Sequence, residues 1–277
     1  MPEADLASAL AGATRPLVVA SDLDGTLLRA DATVSDRTRA VLAALDGSDV
    51  TVVFVTARPP RFLDNVASTV GGHGLVLCAN GAYVYEVATG AVLEEHTLDD
   101  ALVLELAHDL RAAVPGVTFA VEQATSGGAE EAFGAQRRLP EGSPIGPVET
   151  LLAHGPVGKL LARTDEVPPE EFHDLLASVV GDRAEVAYSG AVGLGEVTAP
   201  GVTKAAVLAR WCEAHDVTAD RVWAFGDMPN DLSMLRWAGT SFAVANAHPD
   251  VLATATHHIG HHDDDAVARV LEHLLQP

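Results

Sequence analysis

The sequence predicts an α/β protein with a doubly wound, Rossmann-like parallel-sheet core and an inserted α+β cap domain. Three observations predict this class: continuously apolar short strands, helical patterns between them, and a middle segment with hairpin and mixed α+β patterning. The expected division gives residues 1–81 and 191–277 to a discontinuous catalytic core, and residues 82–190 to the cap.

Each predicted core strand is a short, β-prone apolar run that ends at polar or glycine residues. Runs that are apolar on both faces are typical of a parallel sheet, because helices cover both of its sides. Ser35 can cap one such helix, and another is predicted to begin near residue 203. The strands are predicted over residues 17–21, 51–55, 75–78, 221–225 and 241–245.

The middle segment begins with a hairpin signal, in which apolar runs flank Thr89-Gly90. A long polar loop over residues 123–147 has no predicted form. The remaining predicted elements of this segment are a helix over 101–114, strands over 117–121, 159–163 and 184–188, and a helix over 170–180.

Composition excludes several classes of partner. The chain of 277 residues has a net charge of −22, which repels nucleic acid and anionic lipid surfaces. We find no apolar run of membrane-spanning length and no secretory signal pattern, and Cys78 and Cys212 give no disulfide framework. We therefore expect a cytoplasmic protein that binds neither nucleic acid nor membrane. The sequence leaves its oligomeric state open, and a monomer or a weak dimer is compatible with it.

Polar residues follow the predicted core strands at the points where these strands end. Asp22 and Asp24 follow the first strand, Thr56 follows the second, and Asp227 and Asp231 follow the fourth. Ligands of open parallel sheets bind at this edge. Two carboxylates about 4 Å apart repel by roughly 4 kcal/mol at an effective dielectric near 20. Because a hard divalent cation removes this repulsion, the pattern suggests Mg²⁺ chemistry on a phosphate.

Each of these groups also has a purely structural interpretation. Asp22 and Asp24 can supply an attacking carboxylate and a proton carrier, or form a turn. Lys204, in the first turn of its helix, can bind an anion with the helix N-terminus, or extend into solvent. Asp227, Asn230 and Asp231 can serve chemistry, or only cap a helix. We favour chemistry because the groups follow buried strands.

Four segments together resemble the haloacid dehalogenase superfamily of phosphatases, in the Cof-type branch with a large cap (type C2, or IIB). Asn80-Gly81-Ala82 is also similar to the cap entrance of that family. Ala57 departs from the family pattern, where glycine is common, and Met228-Pro229 replaces a glycine-containing pair. The matching segments are residues 22–26, 56–59, 196–204 and 226–231.

The resemblance implies a mechanism. Asp22 would attack phosphorus in line and form an aspartyl-phosphate, and Asp24 would protonate the leaving oxygen and then activate water. Thr56 and Lys204 would hold the phosphoryl oxygens. Asn230 would orient Lys204 or the substrate.

The resemblance also implies a metal site. Mg²⁺ would be bound by the Asp22 carboxylate, the Asp24 carbonyl oxygen and Asp227, with Asp231 supporting from close by. Asn80 and Arg58 are further candidates for phosphate binding, although Arg58 can equally be a solvated loop residue.

We therefore expect a Mg²⁺-dependent phosphatase of small phosphorylated metabolites, with sugar phosphates as the leading substrate class. A phosphomutase or phosphotransferase on sugar phosphates is an alternative, as is a non-enzymatic regulatory protein on the same fold. A metal site of the glycosyltransferase Asp-x-Asp type would not need Lys204. Tyr83, Glu122 and Arg137 are candidate cap contacts to substrate. The histidine-rich loop over residues 257–262 is either a solvated loop or a transition-metal site.

Overall fold

The computed structural model describes residue 10 and residues 12–63, 74–136 and 141–275, which therefore exclude Arg137. Thirteen strands lie in these ranges. In chain order they are β1 (Val18–Ser21), β2 (Thr51–Val55), β3 (Leu75–Cys78), β4 (Tyr83–Glu86), β5 (Ala91–Glu95), β6 (Thr118–Glu122), β7 (Gly127–Ala129), β8 (Lys159–Arg163), β9 (Glu185–Ala187), β10 (Leu194–Thr198), β11 (Val222–Gly226), β12 (Thr240–Ala243) and β13 (His257–His258).

Nine α-helices lie in the same described ranges, joined by short 3₁₀ segments. They are α1 (Asp36–Asp46), α2 (Asp100–Ala113), α3 (Glu131–Gln136), α4 (Val148–Leu151), α5 (Pro169–Val180), α6 (Lys204–Ala214), α7 (Leu232–Trp237), α8 (Pro249–Thr254) and α9 (Ala266–Leu271). None of the helices in the described part of the chain has the length and apolar composition that crossing a bilayer requires.

The first sheet has eight strands in the order β13-β12-β11-β1-β2-β3-β4-β5. Its strands run parallel from β13 to β3, and only β4 and β5 run antiparallel. All four residues of β1 are buried, as expected for a central strand with helices on both faces. The predicted α/β class is thus confirmed.

The second sheet has five antiparallel strands in the order β7-β6-β8-β10-β9. Helices α2 and α5 pack together beside it, and α5 buries Phe172, Leu176 and Val180. The predicted polar loop over residues 123–147 contains β7 and α3 within its described part. Strand β10 joins this sheet, although no strand is predicted over its residues.

The division into domains at residues 82 and 190 stays a prediction. The structure itself assigns strands to sheets: β4 pairs with β3, so the hairpin β4–β5 extends the first sheet, and β10 pairs with β8 in the second sheet. The chain therefore passes to the second sheet after β5 and returns to the first after β10.

Helix starts follow ordinary capping chemistry. The Ser35 hydroxyl accepts a hydrogen bond from the Thr38 N–H at 3.0 Å and caps α1, as predicted. Thr203 caps α6 in the same way, accepting from the Ala206 N–H at 3.1 Å. This cap makes Lys204 the first residue of α6, which places its ammonium group beside the ends of the core strands.

Candidate active site

Three polar side chains meet at one edge of the first sheet because their strands are parallel neighbours. Strand β1 pairs with both β11 and β2 in parallel, so the residues that follow each strand, Asp22, Thr56 and Asp227, lie together. They line a cavity of about 620 Å³. Residues of the second sheet, such as Glu122 and Lys159, line the same cavity, so it lies between the two sheets.

A carboxylate cluster is the central feature of this edge. Oxygens of Asp22, Asp227 and Asp231 lie within 4.8 Å of one another, and all three residues are buried. The Lys204 ammonium donates to Asp22 Oδ1 and to Asp231 Oδ1, each at 2.6 Å. Three acids and one cation therefore share a site with little access to water.

Asp231 is fixed through both of its carboxylate oxygens. Oδ1 accepts from Lys204, whereas Oδ2 accepts from the backbone N–H groups of Asp227 at 3.0 Å and Met228 at 3.1 Å. Asp231 therefore caps this segment, as one of the two interpretations expected. Its other carboxylate oxygen orients Lys204, so the same side chain serves both the cap and the site.

Asp227 is fixed by a residue that the sequence analysis did not single out. The Thr26 hydroxyl donates to Asp227 Oδ1 at 3.0 Å. Gly25, with φ of +77°, leaves room for this contact, since a Cβ there would lie 2.4 Å from Asp227 Oδ2. Glycine at position 25 and threonine at position 26 are therefore needed to accommodate and hold Asp227, in the loop after β11.

Asp24 lies outside the carboxylate cluster. Its side chain is about half exposed and forms a two-point ion pair with Arg58, in which Arg58 Nε donates to Asp24 Oδ2 at 2.7 Å and Arg58 Nη2 donates to Oδ1. Thr56 is buried, and its hydroxyl accepts from the Arg58 N–H at 3.1 Å. Arg58 is thus a partner of the site, and the solvated alternative does not describe it.

Asn80 and Asn230 contact each other at the rim of the cluster. Asn230 Nδ2 donates to Asn80 Oδ1 at 3.1 Å, and Asn80 Nδ2 donates to Glu196 Oε2 at 2.6 Å. Asn80 has a positive φ of 59°, a conformation that asparagine adopts more easily than most residues. Glu196 and its further partner Lys159 were missed as site residues; the available signal was a lysine at the start of a strand whose next three residues are apolar.

Burial and mutual repulsion raise the pKa of two cluster carboxyls. Burial raises the pKa of Asp22 well above its usual range, and the charges of Asp231 and Asp227 add to this effect, which the Lys204 ammonium only partly opposes. Burial and Asp231 raise the pKa of Asp227 to about 7. Burial alone would lower the pKa of Lys204, but Asp22 and Asp231 raise it overall. The cluster therefore carries unrelieved negative charge.

This repulsion predicts the pH dependence of stability in the metal-free protein. Asp227 keeps its proton up to about pH 7 when folded, and the unfolded chain releases it near pH 4. The native state then binds more protons, so its free energy of unfolding should fall as pH rises from 4 to 7. In EDTA at pH 8, Asp227→Asn should be more stable than wild type by up to about 4 kcal/mol, and at pH 4 about equal.

Urea unfolding at both pH values measures this difference, with the exposed Asp174→Asn as the matched control. A less stable Asp227→Asn variant at pH 8 would contradict the repulsion.

The histidine-rich loop holds a second group of potential ligands. Atoms of His261, His262 and Asp263 lie within 4.8 Å of one another. His262 also donates from Nδ1 to the Leu28 carbonyl at 2.7 Å, and its N–H donates to Asn246 Oδ1 at 3.2 Å. The first bond joins the loop to the segment after β1, and the second joins it to the segment after β12. Both interpretations of the loop therefore stay open to experiment.

Three comparisons with known proteins agree on the family. A family model for haloacid dehalogenase-like hydrolases matches residues 19–271. Pyridoxal phosphate phosphatase YbhA of Escherichia coli (strain K12) is 28% identical over 271 residues, covering 93% of this chain and 98% of its own length. HMP-PP phosphatase of Citrobacter koseri is 29% identical over 265 residues, covering 93% and 95%.

Among solved structures, a phosphatase of the haloalkanoate (HAD) enzyme superfamily from Bacteroides thetaiotaomicron superposes with a TM-score of 0.80. It is 21% identical, and the match covers 95% of this chain and 97% of that one. This likeness shows that the two proteins share a fold.

Proposed function

This chain belongs to the haloacid dehalogenase-like hydrolases, and from this premise we propose that it is a Mg²⁺-dependent phosphatase acting through an aspartyl-phosphate on Asp22. Its substrates in this proposal are small phosphorylated metabolites. The observation that carries the proposal is the buried contact between Lys204 and Asp22, beside Asp227, where Asp22 and Asp227 line the cavity. A nucleophile, a cation for phosphoryl oxygens and an acidic metal site meet there.

The donor set fits Mg²⁺. Asp22 and Asp227 supply carboxylate oxygens, the ligands that this ion prefers. Burial and, to a lesser extent, the neighbouring carboxylates raise their pKa values, and a bound cation would offset both effects. Both oxygens of Asp231 already accept hydrogen bonds, so we assign it the supporting role of orienting Lys204. The Asp24 carbonyl oxygen completes the proposed ligands. Bound Mg²⁺ would neutralise charge on these carboxylates and on the substrate phosphate.

The proposed first step forms a bond between an Asp22 carboxylate oxygen and phosphorus while the ester P–O bond breaks. The proton that the leaving oxygen needs comes from the Asp24 carboxyl. In the second step Asp24, now ionised, takes a proton from a water molecule that attacks phosphorus, releasing Asp22 and phosphate. Thr56 and Lys204 hold phosphoryl oxygens during both steps.

Arg58 has to leave Asp24 for the first step, because a carboxylate held in a two-point ion pair cannot donate a proton. Arg58 lines the cavity and is partly exposed to solvent. We propose that the substrate's own negative charge draws Arg58 away, so that the Asp24 carboxylate takes up a proton from solvent and can then donate it to the leaving oxygen. The ion pair would thus prevent Asp24 from acting as a general acid until an anionic substrate binds.

Two classes of phosphorylated metabolite are candidates for the substrate. The named relatives act on pyridoxal phosphate and HMP-PP, whereas the sequence favoured sugar phosphates. A panel holding both classes, ranked by kcat/KM, decides between them. Phosphate release without a sugar acceptor separates a phosphatase from a phosphomutase.

Metal dependence gives the decisive test of the proposed function. Hydrolysis of a generic aryl phosphate should cease in EDTA and return with excess Mg²⁺, because the carboxylate cluster repels phosphate without a cation. Thermal unfolding should also shift upward with Mg²⁺ in wild type and much less in Asp227→Asn. Activity that persists in EDTA, or equal shifts in both proteins, would contradict the metal site.

A further inference from the structure

The sequence contains two lysines, and the structure buries both beside the same cavity. Lys204 belongs to the carboxylate cluster. Lys159 begins β8 in the second sheet, is only 3% exposed and is followed by the buried residues Leu160 and Leu161. Other cations of this chain are arginines, so lysine occurs only where an ammonium group is enclosed. Burying an ammonium is costly unless it is fully paired, so the partners of Lys159 are informative.

Two carboxylates of the second sheet neutralise Lys159. Its Nζ lies 3.1 Å from Glu122 Oε2 and 3.0 Å from Glu196 Oε2. Burial alone would lower the pKa of Lys159, but these two carboxylates raise it overall, so the ammonium stays charged. The positive charge of Lys159 is thus already matched within the second sheet, without any contact to the first sheet.

Lys159 makes a third contact that leaves its own sheet. Its Nζ donates to the Ala57 carbonyl at 2.7 Å. Ala57 follows Thr56, the proposed phosphoryl-holding residue, and the flanking carbonyls of Thr56 and Arg58 accept from backbone N–H groups after β3, at 3.0 and 2.8 Å. The middle carbonyl of this 56–58 loop is therefore held by a side chain of the second sheet.

A second route leads from Lys159 to the other side of the site. Glu196 Oε2 accepts from Lys159 and also from Asn80 Nδ2 at 2.6 Å. Asn80 in turn accepts from Asn230 Nδ2 at 3.1 Å. One buried ammonium thus connects the loop after β2 with the loop after β11, across the cavity that takes the substrate.

We propose that Lys159 is a positioning residue for phosphoryl transfer, which orients the 56–58 loop through the Ala57 carbonyl and holds Asn230 in register through Glu196 and Asn80. The inference rests on the proposed function, since it concerns how the phosphoryl group is held. In this proposal a residue of the second sheet helps to hold the phosphoryl group, and its effect is the same for every leaving group.

The test compares Lys159→Met with wild type on three aryl or alkyl phosphates that differ in leaving group. Because Lys159 acts through the phosphoryl-holding loop, kcat/KM should fall by about tenfold or more, and by the same factor for every substrate. The inhibition constant of inorganic phosphate should rise in parallel. Arg163→Met is the matched control: Arg163 lies on the same strand, pairs with Asp165 outside the cavity, and should change neither quantity.

Lys159→Met leaves two buried carboxylates without their cation and can fail to fold. The double variant Lys159→Met/Glu196→Gln removes one charge of each sign, keeps an acceptor for Asn80, and leaves Glu122 3.6 Å from Arg61. It loses the Ala57 contact all the same, and should show the same uniform loss. Glu196→Gln alone keeps the Lys159 contact to the Ala57 carbonyl and weakens only the route to Asn230, so its kcat/KM should fall by less than that of the double variant.

Several outcomes would overturn the inference. A folded Lys159→Met or double variant with wild-type phosphate inhibition and kcat/KM excludes a positioning role. A loss that differs between leaving groups, with unchanged phosphate inhibition, makes Lys159 a leaving-group contact instead. A lower Tm with unchanged kinetic constants leaves it only a structural residue. If wild type itself hydrolyses no phosphate ester, the proposed function fails, and this inference fails with it.

Discussion

Asp22→Asn should abolish hydrolysis of phosphate monoesters, lowering kcat by at least about four orders of magnitude. The amide has the shape of the carboxylate but cannot form an acyl phosphate. The fold should survive, because an amide oxygen can still accept from Lys204 and the variant relieves the repulsion that raises the pKa of Asp22. Phosphate release gives kcat, and circular dichroism with a thermal scan checks the fold.

Asp174→Asn, an exposed substitution on α5, controls for the loss of one negative charge and should keep full activity. A folded Asp22→Asn protein with activity near wild type would exclude the covalent route and leave, at most, direct attack of water.

Lys204→Met should remove both activity and stability. Activity should fall by at least about three orders of magnitude, because no other cation touches Asp22 among the described residues and phosphoryl charge would go unmatched. The free energy of unfolding should fall by about 3–5 kcal/mol, since Asp22 and Asp231 are left as unpaired buried carboxylates. Kinetics and urea unfolding measure the two effects.

The pH dependence of this loss is a further part of the same prediction. Without Lys204 the cluster carboxyls bind protons more tightly when folded than when unfolded, so the destabilisation should be larger at pH 8 than at pH 5. Arg210→Met, on the exposed side of the same helix α6, should change neither stability nor activity. A Lys204→Met protein as stable as wild type at pH 8 would show that the cluster is not held by this ion pair.

The sequence was sufficient for the parts of the site that follow from strand order. Apolar runs locate β1, β2 and β11, and parallel pairing brings Asp22, Thr56 and Asp227 to one edge without knowledge of any side-chain contact. The start of α6 at Lys204 follows from local capping by Thr203. The individual strands and the helix start can be recognised because each depends on only a few neighbouring residues.

Features that depend on tertiary pairing were not readable. Alternation predicts the hairpin of β4 and β5, yet which sheet it extends is decided by hydrogen bonds to β3. Strand β10 contains the buried Glu196, whose partners Lys159, Asn80 and Ser189 are not indicated by any local pattern in the sequence. The contact of Arg58 with Asp24 likewise joins residues 34 apart in the chain. Long-range charge partners cannot be assigned from spacing alone.

A crystal structure of the protein grown with Mg²⁺ and beryllium fluoride, a mimic of the phosphoryl group, would show whether Asp22 is the residue that becomes phosphorylated. We expect the fluoride group bonded to the Asp22 carboxylate, with Thr56 and Lys204 at its fluorines and Mg²⁺ between Asp22 and Asp227. Density for the mimic or the metal away from Asp22, for example at His261 and Asp263, would contradict the account.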